Sequence, residues 1–176
     1  VGTQEDVLVE VIDRAAGRLG AYAYILTGSQ SEGEELVQAA IVKVFSRRTR
    51  LGTVEQAEAY VRRTMRTVHI DRVRRETTWR RLVPRLAPRQ TASDSADQLA
   101  MRDELARALD TLPRQRRTAV VLRFYDDLSY QEIADAMGVS LGAVKRYLSD
   151  ALAALGDVLG ADAEIASVGP SDGRRL

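Results

Sequence analysis

Arginine is the residue this chain concentrates where chemistry could happen. Between Tyr60 and Arg89 stand Arg62, Arg63, Arg66, Arg72, Arg74, Arg75, Arg80, Arg81, Arg85 and Arg89, opposed only by Asp71 and Glu76. That is about eight net positive charges in thirty residues. The planar guanidinium fork matches phosphate oxygens and base edges and stacks on bases, so the stripe points to nucleic acid, with a solvated helix face as the plain alternative. Catalytic groups are scarce by comparison. With no cysteine and a single histidine, His69, the sequence offers no disulfide, thiolate nucleophile, Cys-based zinc site, histidine-rich metal site or triad of the usual kind. Asp126 and Asp127 are adjacent carboxylates that could suggest a metal, but such a pair before a helix cap is more simply a solvated turn. No cofactor and no metal are expected.

A second constellation lies in Leu128–Leu152, LSYQEIADAMGVSLGAVKRYLSDAL. Ser129 with Glu132 forms a capping box, Ile133 and the small Ala134 face inward, and Gly138 can take the left-handed conformation of a tight turn. Ser140 then caps a further helix with Val144 and Leu148 inside. This is the pattern of a helix-turn-helix, which presents the start of its second helix to the major groove. Leu141, Gly142, Ala143, Lys145, Arg146 and Tyr147 would stand near base edges and phosphates there. A hairpin of helices used only for packing is the alternative.

These two constellations need a scaffold, and the apolar spacing supplies helices throughout. Leu8, Val11, Ile12, Ala15, Leu19, Tyr22, Ala23 and Leu26 predict a helix over Glu5 to Thr27, ended by Gly28. Ser31 with Glu34 reads as a capping box for a second helix to about Arg47, with Leu36, Val37, Ala40, Ile41, Val44 and Phe45 as its buried stripe. Thr53 with Gln56 starts a long helix with Tyr60, Val61, Met65, Val68 and Val73 inside and the arginines outside.

Pro84, Pro88 and the polar run Gln90 to Asp97 have no periodicity and read as a linker. A helix carrying Leu99, Leu105, Ala106, Leu109 and Leu112 follows, then one opened near Pro113 and carrying Val120, Val121, Leu122 and Phe124. From Ala161 large apolar residues thin out, as in a mobile tail. The expected fold is all-α, with a first domain over residues 1–83, a linker over 84–97, a second domain over 98–160 and a tail over 161–176.

The hydrophobic fraction of 45% is ample for two packed cores. The formal net charge of +1 conceals segregation, because residues 1–40 carry Glu5, Asp6, Glu10, Asp13, Glu32, Glu34 and Glu35 against only Arg14 and Arg18. No run of eighteen apolar residues and no signal-peptide pattern is visible, so a cytoplasmic address without a membrane span is expected.

With these residues in place, LPRQRRTAVVLRFYDDLSYQEIADAMGVSLGAVKRYLSDAL resembles region 4 of the extracytoplasmic-function sigma factors, the small members of the sigma-70 family. YAYILTGSQSEGEELVQAAIVKVFSR resembles the end of region 2.1 and region 2.2, and AEAYVRRTMRTVHIDRVRR resembles regions 2.3 and 2.4. The resemblance runs in order from about Ile12 to Leu159, and order and spacing make it specific. It implies docking of region 2.2 on the clamp helices of the largest subunit of core RNA polymerase, through Glu34, Glu35, Leu36, Gln38, Ala39 and Ile41. For Leu36 and Ile41 a core role is an equal alternative.

The resemblance further implies melting and capture of the minus-ten element of promoter DNA by Thr53, Tyr60, Arg62, Arg63, Arg66, Thr67, Arg74 and Arg75. Unstacking a base costs a few kcal/mol, offset by stacking and cationic tracking of the backbone. Asp71 matches the family's acidic position in region 2.4 and is read as structural. Trp79 is read as an anchor for the chain beyond the long helix. The minus-thirty-five element would be met by Arg114, Arg116, Arg117 and Arg123 on phosphates and by Ser140, Leu141, Gly142, Ala143, Lys145, Arg146 and Tyr147 on the groove. An anti-sigma factor is a further implied partner.

The chain departs from the family pattern at Ala39 and Thr67, where an acid and an asparagine are common, and at Arg146, Tyr147 and Asp150 in the recognition helix. Promoter sequence is therefore not transferable from a relative. A conventional helix-turn-helix regulator would explain Leu128–Leu152 but leave the first eighty residues without a task. An interaction module built from the acidic and basic helices is the other competing reading.

Overall fold

The computed structural model describes residues 4–46, 53–82 and 100–159, and every element among them is an α-helix. The elements are α1 (Gln4–Thr27), α2 (Gln30–Ser46), α3 (Val54–Leu82), α4 (Ala100–Asp110), α5 (Arg114–Phe124), α6 (Tyr130–Met137) and α7 (Leu141–Leu159). The expected linker over 84–97 and tail over 161–176 lie outside the described residues, as do Arg85 and Arg89.

The first three helices pack on one another around a core that the three- and four-residue spacing anticipates. Val11, Ala15, Leu19, Tyr22, Ala23 and Leu26 of α1 meet Leu36, Ala40 and Val44 of α2 and Ala57, Val61 and Met65 of α3. Each fully buried leucine here contributes about 1.5–3 kcal/mol of transfer free energy. Gly33 is buried where α2 crosses α1, and a Cβ there would already touch Ala23 and the Tyr24 backbone at 3.4 Å. The close crossing explains a glycine inside a helix despite its entropic cost.

Two local expectations change. Gly28 takes φ +70° and turns the chain so that Ser29, not Ser31, caps α2: its carbonyl accepts from Gly33 N–H at 2.9 Å and its hydroxyl from Glu32 N–H at 3.4 Å. The helix starts earlier than the capping pattern of Ser31 suggested. Phe45, expected inside, is 40% exposed, and Val37 and Ile41 are half-buried at the edge of the core. At the start of α3, Thr53 caps as expected, its Oγ1 accepting from Gln56 N–H at 3.3 Å.

The second core gathers Ala108, Leu109, Leu112, Ala119, Val120, Leu122, Ile133, Met137, Val144 and Leu148 from α4 to α7. Leu105 of α4 and Phe124 of α5 are 49% and 47% exposed. The two cores are not separate. Ile70 and Val73 of α3 pack into the second core, whereas Val121 of α5 packs into the first. α5 thereby lies against α1 and α3, and α6 lies against α3.

Candidate nucleic-acid interface

The helix-turn-helix is built as its residues dictate. Ser129 Oγ accepts from Glu132 N–H at 3.2 Å while Glu132 Oε2 accepts from Ser129 N–H at 2.8 Å, so the box closes reciprocally. These hydrogen bonds hold the Glu132 carboxyl below the usual carboxylate range. Ile133 and Ala134 are buried, and Gly138 ends α6 at φ +65°, ψ +38°, where an L side chain is disfavoured. Ser140 Oγ then accepts from Ala143 N–H at 3.2 Å, and Val144 and Leu148 anchor α7 in the core. What remains outward is the start of α7. Ser140, Leu141, Gly142, Lys145 and Arg146 are exposed and Ala143 and Tyr147 half-buried, and neither Lys145 nor Arg146 carries an ion pair with a described residue. That arrangement can place two cations and a small-residue helix start in a major groove.

The long helix α3 buries Val61, Met65, His69 and Val73 at four-residue steps and turns its arginines outward. Arg63, Thr67, Arg74 and Arg75 are exposed, and Arg62, Arg66 and Tyr60 half-buried. Thr53 is exposed at the head of the helix. Trp79 is 62% exposed and packs into neither core, and the chain beyond α3 that it was expected to anchor lies outside the described residues. Asp71 is half-buried.

The expected docking face on α2 divides by depth. Glu34, Glu35 and Gln38 are exposed, Ala39 and Ile41 half-buried, and Leu36 fully buried in the first core. Leu36 can therefore shape that face only from beneath. Between α1 and α2 a groove lined by Ile12, Ala16, Gly20, Val37, Gln38 and Ile41 runs along it.

The four α5 arginines do not share one fate. Arg117 is 6% exposed and donates to the carbonyls of Thr27 at 2.7 Å, Leu109 at 2.9 Å, Asp110 at 3.0 Å and Leu112 at 3.3 Å. Burial pulls its pKa down from the ordinary arginine value, and the nearby Asp110 carboxylate opposes that shift. Arg114, 7% exposed, pairs with Glu76 at 2.8 Å and Glu32 at 3.2 Å. In this arrangement both are committed to protein and withdrawn from phosphate. Arg116, more open, pairs with Asp150 of α7 at 2.9 Å, and Arg123 lies over the Tyr130 ring with its guanidinium 5.5 Å from the centroid.

The residues that make this seam were not singled out by their types. His69 is fully buried, and its Nε2 lies 2.9 Å from Thr118 Oγ1. Burial first, and then the Arg114, Arg72 and Arg117 cations, push its pKa down to about 3. Tyr22 donates to Asp126 Oδ2 at 2.9 Å, and burial together with that carboxylate raises the phenol's pKa. Tyr24 donates to Asp110, and Gln115 donates to Thr77 Oγ1 at 2.7 Å. One signal could have found His69: it continues the buried series Val61, Met65, Val73 of α3.

Comparison with known proteins bears on both halves. Residues 11–81 match the Sigma-70 region 2 family and residues 102–155 match the family of Sigma-70, region 4. The chain is 34% identical over 134 residues to the RNA polymerase sigma-E factor of Streptomyces avermitilis, a match covering 73% of this chain and 71% of that one. It is 33% identical over 144 residues to the ECF RNA polymerase sigma factor SigE of Mycolicibacterium smegmatis, covering 77% of this chain and 55% of that longer relative. In fold it is similar to the sigma factor RpoE of Bartonella quintana, solved in complex with the anti-sigma factor NepR, with a TM-score of 0.52, 22% identity, and coverage of 90% of this chain and 97% of that one.

Proposed function

The chain belongs to the extracytoplasmic-function sigma factors of the sigma-70 family, and from that premise we propose that it directs promoter-specific initiation by RNA polymerase. The observation that carries this reading is the joint exposure, on one chain, of an arginine-faced long helix and of a capped recognition-helix start. A repressor or activator needs only the second. In this reading residues 1–83 hold the polymerase-docking and minus-ten functions, 84–97 link, and 98–160 read the minus-thirty-five element. Glu34, Glu35 and Gln38, with Ala39 and Ile41 beneath, meet the clamp helices of the largest subunit.

Thr53, Tyr60, Arg62, Arg63, Arg66, Thr67, Arg74 and Arg75 act on the melted minus-ten strand, and Ser140, Leu141, Gly142, Ala143, Lys145, Arg146 and Tyr147 with Arg116 and Arg123 act on the duplex. The factor performs no bond chemistry of its own, works in the cytoplasm where the polymerase is, and is held inactive by an anti-sigma factor. No described helix is long and apolar enough to cross a membrane. In-vitro transcription with core polymerase on a genomic fragment library tests the proposal. Defined start sites that appear only when the chain is added support it; absence of any chain-dependent transcript, with no binding to core enzyme, would overturn it.

A further inference from the structure

The recognition helix carries an acid on the side that would meet a polyanion. Asp150 stands one turn beyond Arg146 on α7, about 6 Å further along the axis. With Ala143, Arg146 and Tyr147 it completes the spacing i, i+3, i+4, i+7, which sets these residues on one side of the helix. Reading helices that lie in the major groove meet base edges with residues at that same spacing. Arg146 is exposed and Ala143, Tyr147 and Asp150 are half-buried, beside the face that Val144, Leu148, Ala151 and Leu155 bury in the second core.

The carboxylate is held from a neighbouring helix. Nη2 of Arg116 on α5 lies 2.9 Å from Asp150 Oδ2, with the two side chains 37% and 40% exposed. At that exposure an ion pair contributes only about 0–1 kcal/mol, so stability does not account for an acid at this place. Close to phosphates the same charge lowers affinity unless a donor on the DNA offsets it. A carboxylate has about four acceptor sites, and the contact with Arg116 leaves room for such a donor.

The major groove presents few donors. Guanine shows two acceptors there, thymine an acceptor and a methyl group, and adenine an amino group beside the N7 acceptor, whereas cytosine shows its N4 amino group alone. A group that only accepts therefore matches cytosine.

We propose that Asp150 is a specificity-determining residue of the second half: its carboxylate, oriented by Arg116, accepts from the N4 amino group of a cytosine in the minus-thirty-five element. Arg116 is a positioning residue, which fixes Oδ2 and offsets the acid's charge toward nearby phosphates. The inference rests on the sigma-factor reading for what α7 meets.

The test is transcription by the holoenzyme from a promoter library randomised through the minus-thirty-five element, comparing the parent with Asp150→Ala, Asp150→Asn and Arg116→Ala. The parent is expected to favour cytosine at one position by about fivefold or more, the lower end of what a good base contact gives. Asp150→Ala should flatten that position alone. Asp150→Asn sets an amide donor beside the acceptor, the pairing that suits adenine, and should move the preference there toward adenine. Arg116→Ala should weaken the cytosine preference in part and leave the preferences at other positions as they were.

Identical preferences for all four proteins would overturn the inference, and so would an Asp150→Ala variant that transcribes every sequence better by the same factor, since the acid would then be a repelling surface charge. If melting curves show that the alanine variant does not fold, Asp150→Asn, which keeps the shape of the side chain, decides alone. Failure of the sigma reading is distinct, because the parent itself would then give no chain-dependent transcript.

Discussion

Nε2 of His69 on α3 and Oγ1 of Thr118 on α5 lie 2.9 Å apart in the buried seam between the two halves, and they are the only link there that involves a histidine. Nδ1 of the same ring has no hydrogen-bond partner among the described residues. A charged ring would therefore carry an unpaired N–H as well as an unscreened charge beside Arg72, Arg114 and Arg117. The neutral form is the one the seam accepts.

Acid should therefore loosen the seam. His69 is pushed down to about 3 when buried and would return toward its ordinary 6.5 when the halves part. The buried state then binds fewer protons than the open one, so its stabilisation is complete above about pH 6.5 and is lost progressively as pH falls from 6.5 toward 3. NMR of the sole histidine is expected to show no titration between pH 8 and pH 5. A midpoint near 6.5 in the untreated chain would contradict the buried placement.

Arg117 should be the most costly seam residue to truncate. Arg117→Ala leaves four carbonyls and Asp110 without their donor, and loss of one partner from a buried charged network costs roughly 3–5 kcal/mol. Arg117→Lys keeps the charge but not the five-donor fork, and should recover only part of the loss. Urea unfolding with an unchanged m-value measures both. A cost below about 1 kcal/mol for the alanine variant would mean that water replaces the guanidinium without penalty.

On α2, Glu35→Lys combined with Gln38→Ala should weaken core-polymerase binding without lowering the melting temperature, because both side chains are exposed and neither supports the core. Titration of labelled chain with core enzyme gives the affinity. The same affinity for variant and parent would move the docking face elsewhere.

Each phosphate-contacting arginine among Arg62, Arg63, Arg66, Arg74 and Arg75 should contribute about one unit to the log–log salt slope of holoenzyme binding to promoter DNA. Alanine substitution one at a time reads this out. Five unchanged slopes would make the stripe a solvated surface.

In the recognition helix, Lys145→Ala or Arg146→Ala should cost roughly 1–3 kcal/mol and relax preference at one position of the minus-thirty-five element if the side chain makes a bidentate contact to guanine. A phosphate contact would weaken all promoters alike. Transcription from a library randomised at that element separates these outcomes, and identical preferences for parent and both variants would shift readout to Ala143 and Tyr147.

Periodicity and capping chemistry made the helices legible, because they are local. Ser129, Glu132, Gly138 and Ser140 carry their structural roles in their own types and spacing. Ser29 was obscured by the competing pair Ser31 and Glu34, and only the left-handed turn at Gly28 decides between them. The site was legible as charge but not as depth. An arginine in an apolar helix such as α5 looks the same in sequence whether it faces phosphate or, like Arg117, reaches a backbone ninety residues away. Phe45 and Phe124 show the converse limit, since a large apolar residue at the edge of a stripe can face outward.

The carbonyls that Arg117 gathers come from the last turn of α1 and from the end of α4 with the loop beyond it. Both are the negative poles of helix dipoles, and one guanidinium neutralises the two at once. The first half thus borrows part of the finish of α1 from a cation in the second half, which serves the end of its own α4 with the same side chain. A fragment cut before residue 100 would keep the Gly28 N–H on the Tyr24 carbonyl but leave the Thr27 carbonyl without its charged donor, and fraying of that last turn would be the first sign that the second half helps to end a helix of the first.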